Sequence, residues 1–376
     1  MEKSWITEEI FFTADLFFAN LEQSLLNATT SIELETYIFE NDALGQRIAS
    51  LLRAAAARGV RVRVMVDGFG SPHWAQHFVP DLIKAGAEAR VYHPMPLTVL
   101  SPYFERHPTL EKFFKRISTM NERNHRKVCI IDRHKAWTGG MNISASHQHW
   151  RDTGVFIEGS QVRSLLQAFG DTWNKSWSRR GMLYPRKRWN KITKWISLKL
   201  VRLNSTYKSR RQAYHELLIK IDTAKNRVWI TNAYFVPPKR LRQSLKEASR
   251  RGVDVRVLVP RESDVFFIPW VSSALYCGLL EANVKIFEYL PTPLHAKTLI
   301  IDEWATVGTT NLNHRSLIHD LEVDVVLTTS ESILTLARQF AEDLKVSQEI
   351  SFDDWQKRSW PEHIAGRTLL LFRYWI

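Results

Sequence analysis

The sequence predicts an α/β protein of two similar halves, each a mixed, largely parallel sheet flanked by helices. The order of helices and strands in the first part of the chain recurs in the second part. Each part also contains a strand, a helix and a strand in succession, at lengths typical of a crossover between parallel strands. A polar motif occurs once in each part, so we expect the functional site at the interface between the halves.

The repeated unit begins with a helix and a strand. In the first half, apolar residues recur at helical spacing over residues 17–25, and SIELETYIF (31–39) has the pattern of a strand. In the second half, an apolar stripe over residues 214–221 precedes RVWITNAYF (227–235). The matching order predicts that both halves start with the same helix and the same strand.

A second helix and a second strand follow in both halves. The helices, ALGQRIASLLRAAAAR and PKRLRQSLKEASRR, are each followed by a glycine, Gly59 or Gly252, at a position that suits a helix C-cap. The strands VRVRVMV and VDVRVLV come directly afterwards. We therefore predict that the strands on either side of each helix are parallel.

The polar motif has the form His-x-Lys-x4-Asp, and both halves are organised around it. Alternate side chains of an extended strand share a face, so the His and the Lys point the same way and suit a phosphate. The apolar residues that follow, VCII and TLII, predict a central strand buried on both faces. The motif residues are His125, Lys127 and Asp132 in the first half and His295, Lys297 and Asp302 in the second.

Each motif is followed by a glycine-rich corner that ends in an asparagine, Asn142 or Asn311. An acidic residue, Asp152 or Glu322, comes 27 positions after each histidine. The asparagine amides are candidate donors to phosphate oxygens. We predict that the carboxylates orient the imidazoles through the nitrogen that faces away from the phosphate. The alternative is a structural ion pair, for example between Asp152 and the adjacent Arg151.

The duplicated motif, with its trailing glycine and asparagine, resembles the phospholipase D superfamily. HRKVCIIDRHKAWTGGMNIS, WRDTGVFIEG, NAYFVPP and LHAKTLIIDEWATVGTTNL look like segments of bacterial cardiolipin synthases of the type that lacks N-terminal transmembrane helices. The resemblance covers most of residues 30–330. It implies two phospholipase D-like halves in which the His, Lys and Asp of each motif are the catalytic residues.

The resemblance assigns the nucleophile to His125 and the proton donor to His295, whereas the symmetry of the sequence leaves the opposite assignment open. The motif aspartates are a separate question. Asp132 and Asp302 lie seven residues beyond their histidines, which favours a role in fixing the end of the strand over a part in the transfer.

Two histidines that face each other across a phosphodiester can perform covalent catalysis. One imidazole attacks phosphorus and the other protonates the leaving alkoxide, then deprotonates the incoming alcohol or water. Lysines and asparagines are fixed donors for the charge on the non-bridging oxygens. We therefore predict a phosphohistidine intermediate and no metal or other cofactor. At the first corner, Gly139-Gly140, a backbone amide would replace a hydroxyl donor, whereas the second corner reads Gly308-Thr309.

Composition limits the partners and the compartment. The 376 residues carry a net charge of +13 with a pI near 9.7, which predicts a polyanionic partner, either nucleic acid or an anionic membrane surface. With only Cys129 and Cys277, we expect no disulfide framework and a reducing compartment. No stretch approaches the ~20 apolar residues that span a bilayer, and the first residues lack the pattern of a signal peptide.

A basic, aromatic linker at residues 176–212 is expected between the halves. It holds twelve Lys or Arg and no Asp or Glu, interleaved with tryptophans, a composition typical of an interfacial membrane anchor. A site for single-stranded nucleic acid and a plain exposed linker are the alternatives.

The repeat also divides the rest of the chain. Residues 95–123 have no counterpart in the second half and form either a lid or lipid-facing loop or a solvated loop. The C-terminal segment is either a second anchor or a tail folded onto the core. The predicted domains are 1–175 with the insertion 95–123, the linker 176–212, 213–346, and an amphipathic tail, 347–376.

Resemblance and composition together predict a cardiolipin synthase. It would transfer a phosphatidyl group to phosphatidylglycerol, from phosphatidylglycerol or phosphatidylethanolamine. A phospholipase D-type hydrolase and a metal-independent nuclease are the alternatives. The identity of the product distinguishes the synthase from the hydrolase, and binding to lipid vesicles or to oligonucleotides distinguishes it from the nuclease. We expect phospholipid substrates and an anionic membrane surface as partners rather than nucleic acid. The expected location is peripheral, on the cytoplasmic face of a bacterial inner membrane, and the oligomeric state stays open.

Overall fold

The computed structural model describes residues 4–94, 122–176 and 200–372. Most of the expected insertion at 95–123, and residues 177–199 of the expected linker, lie outside the described residues. Within the described ranges, no helix combines the length and the apolar character needed to cross a membrane.

The first half is a sheet of seven strands with helices packed against it. Its helices are α1 (Ala14–Leu26), α2 (Ala43–Ala57), α3 (Trp74–His77), α4 (Val79–Lys84) and α5 (Val162–Lys175). Its strands are β1 (Thr7–Phe11), β2 (Ser31–Thr36), β3 (Arg61–Asp67), β4 (Glu88–Tyr92), β5 (Val128–Ile131), β6 (Lys135–Gly139) and β7 (Gly154–Glu158). They lie in the order β1-β7-β6-β5-β2-β3-β4.

The second half repeats this plan in a sheet of eight strands. Its strands are β8 (Val201–Leu203), β9 (Arg227–Asn232), β10 (Asp254–Pro260), β11 (Lys285–Tyr289), β12 (Lys297–Ile301), β13 (Trp304–Gly308), β14 (Val323–Val326) and β15 (Ser347–Ile350). They lie in the order β15-β11-β10-β9-β12-β13-β14-β8. Its helices are α6 (Tyr207–Thr223), α7 (Lys239–Arg250), α8 (Ile268–Ser273), α9 (Cys277–Leu280), α10 (His314–Ile318), α11 (Ser330–Lys345), α12 (Phe352–Gln356) and α13 (Trp360–Leu369).

The predicted crossover units are present in both halves. Strands β2 and β3 are parallel across α2, and β9 and β10 are parallel across α7. Gly59 and Gly252, which follow these helices, both have a φ of +89°, the left-handed conformation of a C-cap that glycine adopts without strain. The sequence pattern of helix, glycine and strand therefore produced the expected geometry.

Both sheets are mixed, as predicted, but the expectation of largely parallel sheets needs correction. Among the described strands, parallel pairing is limited to β2-β3-β4 and to β9-β10-β11. The remaining pairs are antiparallel. The physical reason is that each motif strand returns through a tight turn, from β5 to β6 and from β12 to β13, and such a turn can join only antiparallel neighbours.

The motif strands occupy the centre of their sheets. Strand β5 lies between β6 and β2, and β12 lies between β13 and β9. Every residue of both strands is buried, so VCII and KTLII are apolar or shielded on both faces, as predicted. The residues just before these strands are thereby held at the edge where the two halves meet.

The two sheets share one hydrophobic core at their interface. It combines Val128, Ile130 and Val155 of the first half with residues of the second half, among them Ile300 and Val323. Burial of this much apolar surface fixes the halves against each other.

Two predicted domain boundaries change. Residues 201–203 form β8, which pairs with β14, so the last part of the expected linker 176–212 belongs to the second sheet. The expected tail 347–376 begins with β15, which pairs with β11, and continues with Trp355, whose buried Nε1 donates to the carbonyl of Ser273 at 2.8 Å. Short edge strands of this kind give little periodic signal in a sequence.

Candidate active site

The two motif histidines lie where the halves touch. The backbone amide of His125 donates to the carbonyl of Leu321 at 3.0 Å, and that of His295 donates to the carbonyl of Arg151 at 2.8 Å. Both acceptors belong to the opposite half. Each histidine is therefore positioned by the backbone segment that carries the acidic residue of the other repeat.

The acidic residues meet the histidines in a crossed arrangement. Nδ1 of His125 lies 3.0 Å from Oε1 of Glu322, and Nδ1 of His295 lies 2.8 Å from Oδ2 of Asp152. All four side chains are buried. Since Nδ1 of each ring is engaged by a carboxylate, Nε2 is the nitrogen left for the reaction.

Arg151 does not form the alternative ion pair with the Asp152 carboxylate. The guanidinium of Arg151 pairs with Asp343, with Nη2 at 2.7 Å from Oδ2 and Nε at 3.0 Å from both carboxylate oxygens. Its Nη1 donates to the backbone carbonyl of Asp152 and to Thr153. The Asp152 carboxylate is thus left for His295.

The two acids are held by different devices. The amide of Thr153 donates to Oδ1 of Asp152 at 2.7 Å, and the carboxylate packs so closely on Gly140 that a Cβ there would lie 2.1 Å from Oδ1. At the equivalent corner of the second half, the hydroxyl of Thr309 donates to Glu322 and accepts from the amide of Val323 at 3.0 Å. The carboxylate thus accepts a hydrogen bond from a backbone amide in the first half and from a side-chain hydroxyl in the second.

The two carboxylates also differ in charge. Burial raises the pKa of Glu322 to about 7, against the opposing effects of Lys127 and the Thr309 hydrogen bond. Burial alone would raise the pKa of Asp152 too, but the charge and hydrogen bond of His295 outweigh it and hold that pKa below its ordinary value. Near neutral pH, Asp152 is the ionised member of the two.

The two histidines also differ in how readily they carry a proton. Burial, followed by the charges of Lys127 and Lys297, holds the pKa of His125 well below its ordinary value. Burial and Lys297 also lower the pKa of His295, but there the ionised Asp152 opposes them. His125 is therefore a neutral imidazole, and His295 is the better placed of the two to carry a proton.

The motif lysines lie inside the site. Both are buried, and each Nζ donates to the backbone carbonyl of its own histidine, at 2.9 Å for Lys127. Burial lowers the pKa of Lys127 to about 7, with Lys297 adding repulsion, and lowers that of Lys297 to about 8. Two buried ammonium groups that repel each other form a site that an anion stabilises.

The motif asparagines are buried at the two corners. Nδ2 of Asn142 lies 3.4 Å from Nδ1 of His147. Neither Oδ1 of Asn142 nor Oδ1 of Asn311 has a hydrogen-bond partner within the described part of the chain. Each of these oxygens can therefore still accept a hydrogen bond, whereas a phosphate oxygen would need the Nδ2 group of the amide as its donor.

The motif aspartates lie away from this site, and their assignment as catalytic residues is corrected. Asp132 follows β5 and accepts hydrogen bonds from the amides of Thr29, Thr30 and Ser31, the shortest at 2.7 Å. Asp302 follows β12 and accepts from three amides at 2.8–3.0 Å, those of Lys225, Asn226 and Arg227. Both tie the far end of a motif strand to the start of its neighbour, as their spacing favoured.

Sequence reasoning missed the aromatic residues around the histidines. The ring of Tyr37 meets His125 edge-on at 5.0 Å between centroids, and Tyr234 and Trp150 meet His295 at 6.2 and 5.6 Å. Tyr37 and Tyr234 follow β2 and β9, the strands that pair with the motif strands. The sequence feature that could have identified the two tyrosines is their position at the ends of predicted strands.

The chain matches known proteins over most of its length. A family described as cardiolipin synthase, PLD-like domain, matches residues 21–173 and 217–344. The chain is 32% identical over 364 residues to a cardiolipin synthase of Halalkalibacterium halodurans, covering 94% of this chain and 69% of that protein. It is 30% identical over 364 residues to a cardiolipin synthase of Staphylococcus aureus (strain Mu50), covering 94% and 70%.

The fold is also found among solved structures. That of phosphatidylserine synthase from Haemophilus influenzae Rd KW20 has a TM-score of 0.73 at 12% identity, covering 99% of this chain and 97% of that one. That of polyphosphate kinase from Porphyromonas gingivalis has a TM-score of 0.61 at 12% identity, covering 98% and 56%. These likenesses concern the fold alone. On the family match and the related sequences, the chain belongs to the cardiolipin synthase family with its phospholipase D-like domain, a family of phosphatidyltransferase enzymes.

Proposed function

We propose that this protein makes cardiolipin by moving a phosphatidyl group from one phospholipid, through a phosphohistidine, to a headgroup hydroxyl of phosphatidylglycerol. The observation that carries the proposal is the crossed pair of contacts, His125 with Glu322 and His295 with Asp152, beside two buried lysines. This arrangement supplies a nucleophile, a proton donor and fixed cations for a phosphodiester.

In the first step, Nε2 of His125 forms a bond to phosphorus while the bond from phosphorus to the leaving alkoxide oxygen breaks. His295 gives its proton to that oxygen. The lowered pKa of His125 supports its role, because a nucleophile must be neutral. The pKa of His295 is also lowered, but the charge and hydrogen bond of Asp152 oppose that shift, so His295 is the better of the two to hold a proton. A bound phosphodiester anion would further favour the protonated form of His295.

In the second step, the incoming hydroxyl loses its proton to His295 as its oxygen bonds to phosphorus. The bond from phosphorus to His125 breaks, and its electron pair returns to the imidazole. Lys127 and Lys297, with the amides of Asn142 and Asn311, serve the non-bridging oxygens in both steps. One phosphodiester replaces another, so the exchange is close to thermoneutral and needs no nucleotide cofactor.

The partner surface in this proposal is an anionic membrane. On α13 and the turn after it, the exposed residues Trp360, Ile364, Arg367 and Leu371 recur at helical spacing and form one outward stripe. A helix that turns Trp, Ile and Leu outward, with a cation among them, has the composition of an interfacial helix. With the net charge of +13, the stripe favours an anionic bilayer as the surface it contacts.

Helix α13 packs against a neighbouring segment that carries a further exposed aromatic residue. Gly366 of α13 packs on Trp270, where a Cβ would lie 2.3 Å from the carbonyl oxygen. The ring of Trp270 meets that of Phe266 at 5.8 Å, and Phe266 is itself 72% exposed. The proposed location is peripheral, on the cytoplasmic face of a bacterial inner membrane, as the resemblance implies, with this surface against the lipid.

The experiment is to identify the products formed from phosphatidylglycerol vesicles, with and without phosphatidylethanolamine, in the presence of chelator, by mass spectrometry. We expect cardiolipin, and its dependence on phosphatidylethanolamine would identify the donor. Phosphatidic acid as the sole product would mean that water is the acceptor and would refute the transferase. If no lipid reacts but an oligonucleotide is cleaved, the enzyme is a nuclease instead.

A further inference from the structure

One acidic residue near the second histidine is not used in the mechanism above. Asp264 is exposed in the loop after β10. Its Oδ2 accepts a hydrogen bond from the hydroxyl of Tyr234 at 2.5 Å, and its Oδ1 accepts one from Ser263 at 3.0 Å. The ring of Tyr234 in turn meets the ring of His295 edge-on. A single aromatic side chain therefore separates this carboxylate from the second histidine.

The first half also has an acid near the end of the strand that corresponds to β10. The acid that closes β3, Asp67, is completely buried. It accepts hydrogen bonds from the amides of Asn124 at 2.9 Å and Phe69 at 2.8 Å, so it serves the backbone. Of these two acids, only Asp264 is exposed, and it lies on the side of His295.

Charge limits what such a carboxylate can contact. The reacting group of the substrate is a phosphate anion, which a nearby carboxylate repels. Asp264 must therefore face a part of the substrate that is neutral or positive and that donates hydrogen bonds. In the proposed function, His295 serves the oxygen of the alcohol that leaves or enters, so the alcohol lies on the Asp264 side.

We propose that Asp264 is the subsite for the alcohol headgroup, where it accepts a hydrogen bond from a second donor group of that alcohol and so places the reacting hydroxyl at His295. The chemical class is a polyhydroxy or amino alcohol whose second donor is on the carbon next to the reacting one. The glycerol headgroup of a phospholipid belongs to this class. This inference rests on the proposed function, and it gives a reason why the enzyme would select a glycerol headgroup as the acceptor.

The carboxylate has acceptor positions left for this ligand. Two carboxylate oxygens offer about four acceptor positions, of which Tyr234 and Ser263 take two. These two contacts fix the orientation of the group, so little conformational freedom is lost when a ligand binds. A site built to hydrogen-bond a hydroxyl discriminates strongly against an analogue that lacks it.

The test compares two acceptors in one reaction. The full-length enzyme acts on phosphatidylethanolamine vesicles that contain glycerol and 1-propanol at equal concentration, and mass spectrometry gives the ratio of the two transfer products. Because the ratio is taken within one sample, it is independent of the amount of folded enzyme. We expect the wild-type enzyme to prefer glycerol, and Asp264→Ala to reduce that preference by about tenfold or more.

Two further variants separate charge from hydrogen bonding. Asp264→Asn keeps an oxygen that accepts from a hydroxyl but has no charge, so with ethanolamine as the acceptor it should lose more transfer than with glycerol. Glu262→Gln removes an exposed acid two residues away on the same loop and should leave the ratio unchanged.

The failures are distinguishable. If Asp264→Ala transfers to both alcohols at an unchanged ratio, even at a lower rate, then the carboxylate acts only on His295 and the subsite is refuted while the transferase stands. If the wild-type enzyme transfers to neither alcohol, or shows no preference for glycerol, the subsite is refuted. If it also makes no cardiolipin from vesicles that contain phosphatidylglycerol, the proposed function fails as well.

Discussion

His125 hydrogen-bonds to Glu322, the acid of the opposite half, through Nδ1 at 3.0 Å. The reciprocal contact joins His295 to Asp152. Each imidazole thus depends on the other half for its orientation, and neither half alone contains a complete pair. The two halves must therefore pack correctly before either histidine can act.

The crossed pairs predict different defects for the two acids. Asp152→Asn should disable the proton donor His295, and Glu322→Gln should disable the nucleophile His125, each lowering turnover by about 10²–10⁴-fold. A donor lipid with a p-nitrophenol leaving group needs no protonation. On that donor, Asp152→Asn should still release a burst of about one p-nitrophenol per enzyme, whereas Glu322→Gln should not, as measured by stopped-flow absorbance.

The same donor tests the histidines directly. His295→Ala should keep the burst and accumulate a phosphorylated peptide that contains His125, and His125→Ala should give neither. If His125→Ala gives the burst and His295→Ala does not, the roles of the two histidines are reversed. Substantial cardiolipin synthesis by both variants would refute covalent catalysis by histidine altogether.

Gly140 is predicted to be essential for the position of Asp152. A Cβ at this residue would lie 2.1 Å from Oδ1 of Asp152, so Gly140→Ala must displace the carboxylate from His295. We expect a loss of activity at least as large as that of Asp152→Asn, with a circular dichroism spectrum close to that of the wild type. Gly170→Ala is the matched control, because a Cβ there meets nothing within 4 Å and the residue is in α5.

Much of this site was accessible from the sequence because its signals are periodic. The alternation of His125 and Lys127 before a continuous apolar run predicted a polar end on a central buried strand, and that is where β5 lies. The repetition of every polar position in the second half made chance an unconvincing explanation. Such patterns report local backbone geometry, which depends on neighbouring residues alone.

The crossed pairing was not accessible in the same way. Asp152 is 27 positions from His125, yet its partner is His295, 143 residues away. Spacing along the chain cannot encode which of two equivalent partners a side chain meets after the halves pack. Single residues such as Tyr234 and Asp264, in loops after a strand, lack a periodic signal altogether.

Lys127 is predicted to lower stability in exchange for function. Burial lowers its pKa from 10.5 to about 7, so the folded state holds this proton less tightly than the unfolded state does. Lys127→Met removes the buried cation while filling a similar volume, so we expect an inactive enzyme. Its thermal unfolding midpoint should rise by a few degrees, because removing the buried charge outweighs the loss of the hydrogen bond to the His125 carbonyl.

The pH dependence of this gain has a definite sign. Between pH 7 and 10.5 the unfolded wild type binds more protons than the folded wild type at this residue, so the cost of Lys127 falls as pH rises through that window. The stability advantage of Lys127→Met should therefore be largest below pH 7 and shrink towards pH 10.5. Urea unfolding of both proteins at several pH values measures it, and an advantage that grows with pH would contradict the burial argument.

The outward stripe on α13 predicts that replacing its apolar residues weakens membrane binding. Ile364→Ser and Leu371→Ser should weaken co-sedimentation with vesicles of phosphatidylglycerol severalfold, because each removes an exposed apolar side chain from the proposed interface. Leu334→Ser on α11, which is also half-exposed, is the matched control. If Ile364→Ser and Leu371→Ser bind vesicles as well as the wild type does but sediment as smaller particles, while Leu334→Ser does not, the stripe joins two copies of the chain instead.

Asp132 and Asp302, although part of the repeated motif, are predicted to act on stability alone. Asp132→Asn replaces one acceptor oxygen by a donor and loses the contact to the Thr29 hydroxyl and amide, which should cost about 1–3 kcal/mol of unfolding free energy.

Burial opposes ionisation here, but hydrogen bonds from Thr30 and Ser31 lower the pKa of Asp132 to about 2. The carboxylate thus contributes stability above pH 3.8 that is lost as pH falls through 2. The difference between wild type and Asp132→Asn should shrink over that range, and turnover per folded enzyme should stay near the wild-type value. A variant that unfolds normally but has lost turnover would restore this aspartate to the reaction.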